Sequence, residues 1–397
     1  MHAVTVLQKC LGDVFERMHA ARGQVLLGAV TALLSSRRLI LMELARAWPG
    51  ALRVRAPLKR LDRLLGNRHL AREAEGCYAA MTKWLVRGQQ PIIVIDWSEL
   101  KADGSWHLLR AGIPVGSRTL TVLEVIYPEG EKNAPWAERQ FLHRLKALLP
   151  AGVRPILVTD VGFRAPWFRA VTALGWHYVG RLRHRALVQL QAGTPWVANR
   201  ALHGQARSQP QRFRDAHIVR NAPWPCDLVL VRKRHQGRQR FTVRGRRARS
   251  RQSLKAECAG RKPWLLATSL RDLNSQQIVA LYAKRMQIEE SFRDLKCDRF
   301  GCAFCYSLTR TAPRLAILLL VHALATFAAW LAALAADTSD GVRYGGIITA
   351  RARRHYSRLR LGWEAWRQHT TPLSPRTLWQ VFMHPPRWAL HALEIPA

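Results

Sequence analysis

The sequence predicts an α/β protein, with a mixed five-stranded sheet and flanking helices, a β-rich insertion, and helical regions at both ends. Three observations predict it. The runs "PIIVID" (91–96) and "RPILVTD" (154–160) are unbroken aliphatic stretches of buried-strand type, and each closes on an aspartate. Two strand-like segments and a helical stretch lie between them. Later, "LYAKRMQIEESFRDLK" (281–296) switches to the 3.6-residue period of a helix.

Residues 1–88 predict helices with short breaks. Within "LILMELARAWPGALRVRAPLKRLDRLLGNRHL" (39–70), an apolar helix meets a break at Trp48-Pro49-Gly50, and a basic helix runs from near Pro57 to Gly66-Asn67. The spacing fits a helix-turn-helix as well as an ordinary basic αα-hairpin. Under either description Lys59, Arg60 and Arg63 are candidate phosphate contacts.

Pro91 to Ile95 is the first strand, with Asp96 at its end. "SWHLLRAGI" (105–113) and "RTLTVLEVIY" (118–127) follow as a hairpin turned by Pro114-Val115-Gly116-Ser117, then an amphipathic helix over 136–149. The strand ending at Asp160, a helix near 165–174 and the strand "WHYVGRL" (176–182) complete the series. Regularity is lost over about 184–262, where short strand-like pieces such as "CDLVLVRK" precede a basic loop. Residues 231–251 carry ten Lys/Arg and no acid. "WLLATSL" (264–270) restores a strand before the 281–296 helix.

Composition narrows the function classes. In 397 residues Lys and Arg outnumber Asp and Glu by 63 to 26, a net charge of +37. Self-repulsion on that scale calls for a polyanionic partner, with nucleic acid the default and an anionic membrane surface the alternative. The seven cysteines, without a signal peptide, suit reduced thiols in a cytoplasm. Cys297, Cys302 and Cys305 have a C-x4-C-x2-C spacing that lacks an evident fourth zinc ligand. Leu315 to Ala336 is long and apolar enough to span a membrane, yet it is alanine-rich and contains His322, which suits a helix buried behind a sheet.

The 281–296 helix holds a polar seam. With Tyr282 at 0° and about 100° per residue, Arg285 falls near 300°, Glu289 near 340° and Lys296 near 320°. Glu290 lies near 80°, while Leu281, Ile288, Phe292 and Leu295 occupy roughly 220° to 280° as a core-facing side. A solvated face with an i,i+4 Arg285–Glu289 pair accounts for the seam in isolation.

The element order supplies a second account. Without the insertion it is three antiparallel strands, then helix, strand, helix, strand, and a helix carrying Glu289, which is the order of the RNase H-like fold. There Asp96, Asp160 and Glu289 are expected to converge. Three carboxylates together require hard cations between them, and oxygen-only ligands favour Mg²⁺, or Mn²⁺ in its stead, over zinc. Two such ions about 4 Å apart serve an in-line phosphoryl transfer.

Y-x2-R-x3-E-x6-K, as Tyr282, Arg285, Glu289 and Lys296, resembles the YREK motif of bacterial DDE transposases of the insertion-sequence-four family. "RLDRLLGNRHL", "VIDWSEL", "VTDVGFRAPWF", "LGWHYVGR", "PWLLAT" and "YAKRMQIEESFRDLK" are similar to that family's sequences in matching order, most of all its insertion-sequence-ten branch. The resemblance covers most of the chain and weakens in the insertion and after about residue 310. It implies a cut-and-paste transposase in which Asp96, Asp160 and Glu289 bind two Mg²⁺ ions and Tyr282, Arg285 and Lys296 grip DNA near the element end. Trp264 matches a tryptophan that stacks on a flipped base. At the next position after the motif arginine, where some relatives carry a wedge tryptophan, this chain has Met286.

The resemblance further implies a helical end-binding region at 1–88, a catalytic region at 89–310 with its insertion at 184–262, and a helical region at 311–397 suited to dimerisation. The expected partners are terminal inverted repeats, target DNA, a second subunit in a synaptic homodimer and a DNA-bending host protein, in the bacterial cytoplasm at the nucleoid and without a membrane. Cleavage is expected to pass through a hairpin. A structure-selective nuclease of the same fold would need neither Trp264 nor terminal repeats. A non-catalytic DNA-binding repressor would tolerate amides at 96, 160 and 289, where carboxylates stand. A membrane-surface protein leaves the strand-end aspartates unexplained.

Overall fold

The computed structural model describes residues 2–86, 88–183, 185–233, 246, 249–251, 254, 262–338, 357–368, 374–385, 389 and 394–395. Contacts divide the chain into two units, one of Met1–Pro155 with Lys284–Ile395 and one containing Ile156–Ala283.

The first unit opens with α1 (His2–Cys10), α2 (Gly12–Arg17), α3 (Ala20–Ser36), α4 (Leu41–Arg46), α5 (Arg55–Leu65) and α6 (Arg68–Leu85). Helix α6 is capped by Asn67, whose side chain accepts from the Leu70 amide at 2.9 Å. In α5, Pro57, Leu61, Leu64 and Leu65 are buried while Lys59, Arg60 and Arg63 are exposed. The connection between α4 and α5 spans residues 47–54. That is longer than the three- or four-residue turn of a helix-turn-helix, so the pair is closer to an ordinary helical hairpin.

Strands β1 (Ile92–Glu99), β2 (Trp106–Pro114) and β3 (Thr119–Pro128) form an antiparallel meander in the order β3-β2-β1. Gly116 (φ 81°) and Ser117 (φ 87°) make the turn of the expected hairpin, both in the left-handed region that matches the strand twist. The first strand does not end at Asp96. Only its fully buried run stops there, and Trp97, Ser98 and Glu99 continue the ladder because Leu109, Leu108 and His107 pair with them. Helix α7 (Pro135–Leu148), begun by a proline in its first turn, packs on β3 and α6.

The second unit contains β4 (Ile156–Thr159), α8 (Ala165–Ala173), β5 (His177–Arg181), β6 (Leu187–Gln189), β7 (Val197–Ala198), β8 (Gln211–Ile218), β9 (Trp224–Val231), β10 (Trp264–Thr268) and α9 (Ser275–Ala283). Its sheet is mixed: β4 and β5 run parallel, and β10 is antiparallel to both β5 and β9. The order is β4-β5-β10-β9-β8-β6-β7, so strands from 184–233 extend the sheet past β10, beyond the five strands expected. The apolar face explains this, since Cys226 to Val231 of β9 is buried and covers an edge that would otherwise stand open. Arg212 pairs with Asp227 at 2.5 Å and donates to the Leu270 carbonyl at 2.7 Å, tying the added strands to the segment before α9. The basic loop over 234–245 lies outside the described residues.

Back in the first unit are α10 (Met286–Lys296), α11 (Ala312–Thr338), α12 (Arg358–Gln368) and α13 (Pro375–Met383). The predicted 281–296 helix is therefore two helices, broken at Lys284-Arg285. The Gln287 and Ile288 amides bond to carbonyls three residues back, Lys284 at 3.0 Å and Arg285 at 3.2 Å, so α10 starts on a tightened turn. Helix α11 is long and apolar enough to cross a membrane, but 94% of its apolar window is buried against α1, α3, α5, α6, α12, α13 and β3. Its alanines permit close approach. A Cβ on Gly362 of α12 would fall 1.8 Å from the Ala329 carbonyl oxygen.

Candidate active site

Across the meander, Asp96 on β1 faces Arg110 on β2, which faces Glu124 on β3. Directly paired residues share a sheet face, so this row and Ser98, two residues on, line one side. Helix α10 packs there, with Ile288, Phe292 and Leu295 buried as its core-facing side. The Phe292 ring stacks under the Arg110 guanidinium at 4.9 Å.

Arg110 is 1% exposed and ion-paired to Glu124, which also accepts from the Tyr78 hydroxyl at 3.0 Å. Burial pushes the Glu124 carboxyl up despite the neighbouring guanidinium, and burial with the Glu124 charge raises the Tyr78 phenol. Neither Arg110 nor Glu124 was singled out from sequence. The available signal was one charged residue inside each of two apolar strands.

The motif residues of α10 divide as the helical spacing predicts. Arg285 reaches Glu289 with Nη1 at 2.5 Å from Oε1, and the same nitrogen lies 3.9 Å from Oδ2 of Asp96. Asp96 Oδ1 accepts from the Trp97 amide at 2.8 Å. Glu290 turns elsewhere, to Arg293 and, at 3.8 Å, to Arg118. Lys296 donates to Ser98 Oγ at 2.7 Å, and burial, with Arg110 nearby, lowers its pKa to about 8. Met286 is half-buried, its sulfur accepting from Arg285 Nη2 at 3.2 Å.

In the second unit Asp160 follows the last residue of β4, as expected. The Tyr282 hydroxyl on α9 donates to Asp160 Oδ1 at 3.1 Å. Trp264, the first residue of β10, is half-buried, and its ring meets Tyr282 edge-on with centroids 4.8 Å apart. The break at Lys284-Arg285 leaves Tyr282 on α9, while Glu289 and Lys296 lie on α10 with Arg285 at its start.

Residues 87–326, well over half of the chain, match the transposase DDE domain family. The chain belongs to that family. Comparison with curated proteins gives no match. Among solved structures it is similar to the cryo-EM structure of a piggyBac transposase synaptic complex with hairpin DNA, at 12% identity and a TM-score of 0.42, over 96% of this chain and 82% of that one.

The DDE domain has the RNase H-like catalytic fold, a mixed β-sheet with flanking helices. DDE domains generally use divalent metal ions for catalysis. Among the described residues no three His, Cys, Asp or Glu side chains gather into a metal site, Cys297, Cys302 and Cys305 included. The donor set nevertheless fits a hard cation. Asp96 and Glu289 both offer carboxylate oxygens to one nitrogen of the Arg285 guanidinium, so a cationic group is already accommodated beside them.

Proposed function

We propose that this DDE-domain protein is a cut-and-paste DNA transposase of the YREK group, related to the insertion-sequence-ten branch. What carries the reading is the partnership of motif and carboxylates: Arg285 between Asp96 and Glu289, and Tyr282 on Asp160. In this reading Asp96, Asp160 and Glu289 hold two Mg²⁺ ions, for which Mn²⁺ can substitute. Bound there, the ions supply Lewis acidity to the scissile phosphate and the attacking oxygen.

Arg285 grips a phosphate through its planar fork, Lys296 contributes a point charge and Tyr282 a hydroxyl donor. Trp264 stacks on a base flipped from the element end, and Met286 stands at the position of a wedge. Stacking of this kind offsets unstacking by roughly 1–3 kcal/mol per base. Water nicks one strand, the 3′-hydroxyl attacks the opposite strand to close a hairpin, and a second water opens it. The freed 3′-hydroxyl then attacks target DNA.

The helices of 1–88 bind the terminal repeats through Lys59, Arg60 and Arg63, and 311–397 serves a synaptic homodimer in which each subunit cuts the end held mainly by its partner. A DNA-bending host protein assists assembly, in the bacterial cytoplasm at the nucleoid. The test is a denaturing gel of the flanking inverted-repeat ends incubated with protein and Mg²⁺. Hairpin product is expected, and Trp264→Ala should nick but form hairpins poorly. Nicking without any hairpin from the wild type would leave a nuclease, and normal hairpin yield from Trp264→Ala would return that residue to a packing role.

A further inference from the structure

Within the first unit, β3, α10, α11 and α12 enclose a cavity of about 270 Å³. This is just below the usual size of a small-molecule site, roughly 300–1,000 Å³. Its wall is not that of an apolar packing defect. Arg37 and Arg360 both line the cavity and share a single carboxylate, Glu364, at 3.1 Å and 2.8 Å. Both also donate to one carbonyl, Phe300, at 2.9 Å and 3.2 Å. Two guanidinium groups thus crowd one negative charge, and burial together with Arg360 lowers the pKa of Arg37. The Arg360 Nε–H has no hydrogen-bond partner among the described residues.

His322 and Thr326, one turn apart on α11 and 5% and 7% exposed, also line the cavity. His322 Nδ1 and Thr326 Oγ1 likewise lack hydrogen-bond partners among the described residues. A buried polar atom without a partner is destabilising, and here two of them line one cavity. Burial, with Arg110 nearby, pushes the His322 pKa down to about 3, so the ring is neutral at physiological pH. The wall therefore combines an excess of guanidinium groups, Arg110 and Arg118 with Arg37 and Arg360 against the Asp294 carboxylate, with the neutral hydrogen-bonding groups of α11.

We infer that this cavity is a binding site for a small hydroxylated phosphate ester, with its phosphate on Arg37 and Arg360 and its hydroxyls on His322 and Thr326. A planar fork suits phosphate, and the neutral donors and acceptors of His322 and Thr326 suit a polyol. Ribose 5-phosphate, which carries both a phosphate and hydroxyls, serves as the probe. None of the carboxylates assigned to DNA cleavage lines the cavity, and the inference does not depend on that assignment.

Full-length protein is titrated calorimetrically with ribose 5-phosphate and with inorganic phosphate at constant ionic strength. Saturable binding of the ester at about 1 mM or tighter, at least threefold tighter than inorganic phosphate, is expected. Arg360→Gln should weaken the ester at least tenfold. Thr326→Val keeps the shape and removes an unpartnered hydroxyl, so it should raise the melting temperature of the protein alone while weakening the ester at least threefold. No saturable binding, equal affinity for the two probes, or unchanged affinity in both variants would overturn the assignment and leave a cavity filled by water.

Discussion

Glu289 and Glu290 differ by about 100° around the helix, and their partners differ accordingly. Glu289 shares Arg285 with Asp96, whereas Glu290 is held by Arg293. This separation was legible in the sequence because helical spacing is local and Ile288, Phe292 and Leu295 fix which side faces the core. The Arg110–Glu124 pair was not, because a charged residue in a strand announces its partner only once the strand register is known. Arg110→Met leaves a buried carboxyl without its cation and should lower stability by about 3 kcal/mol in urea unfolding. Adding Glu124→Leu should recover part of the loss, and a single-variant loss under about 0.5 kcal/mol would show the pair to be idle. His322 gives a pH dependence. Its folded pKa, about 3, lies below the ordinary value of 6.5, so between these the unfolded chain binds the extra proton and stability falls as pH falls. His322→Leu should therefore lose about 2 kcal/mol less than wild type between pH 7 and pH 5. Parallel losses would mean that the imidazole titrates normally in the folded protein.

Elements were legible where their signals are local. The aliphatic run of β4, the Gly116-Ser117 hairpin and the apolar α11 each follow from a few adjacent residues. Two features needed the fold. Strand β1 outlasts its apolar run because β2 supplies a pairing edge, and the 281–296 helix breaks although no proline or glycine interrupts it. The extended sheet of the second unit also depends on pairing between distant segments, which short strand-like pieces do not reveal. Helix α5 carries its own prediction. Its buried side is apolar and its outer side presents Lys59, Arg60 and Arg63, so replacing all three with Gln should spare the helix and weaken DNA binding. Each phosphate contact adds about 0.9 to the slope of log K against log salt. The triple variant should therefore flatten the slope by about 2 to 3 in fluorescence anisotropy titrations, and an unchanged slope would remove the helix from the interface.

At the scale of the whole chain, a net charge of +37 is spread across both units rather than confined to a tail, which suits long contact with a polyanion. Family membership supports metal-dependent chemistry on DNA in general, and the motif residues are the proposed link between that chemistry and this chain's carboxylates. The most direct test compares Glu289→Gln with Glu290→Gln on duplexes carrying the element ends, with Mg²⁺ present, reading cleavage on a denaturing gel and end binding by mobility shift. Glu289→Gln should bind ends normally and give no detectable nicking, while Glu290→Gln nicks nearly as wild type does. Equal loss of cleavage in the two variants, or wild-type cleavage by Glu289→Gln, would contradict the assignment of Glu289 to the catalytic centre.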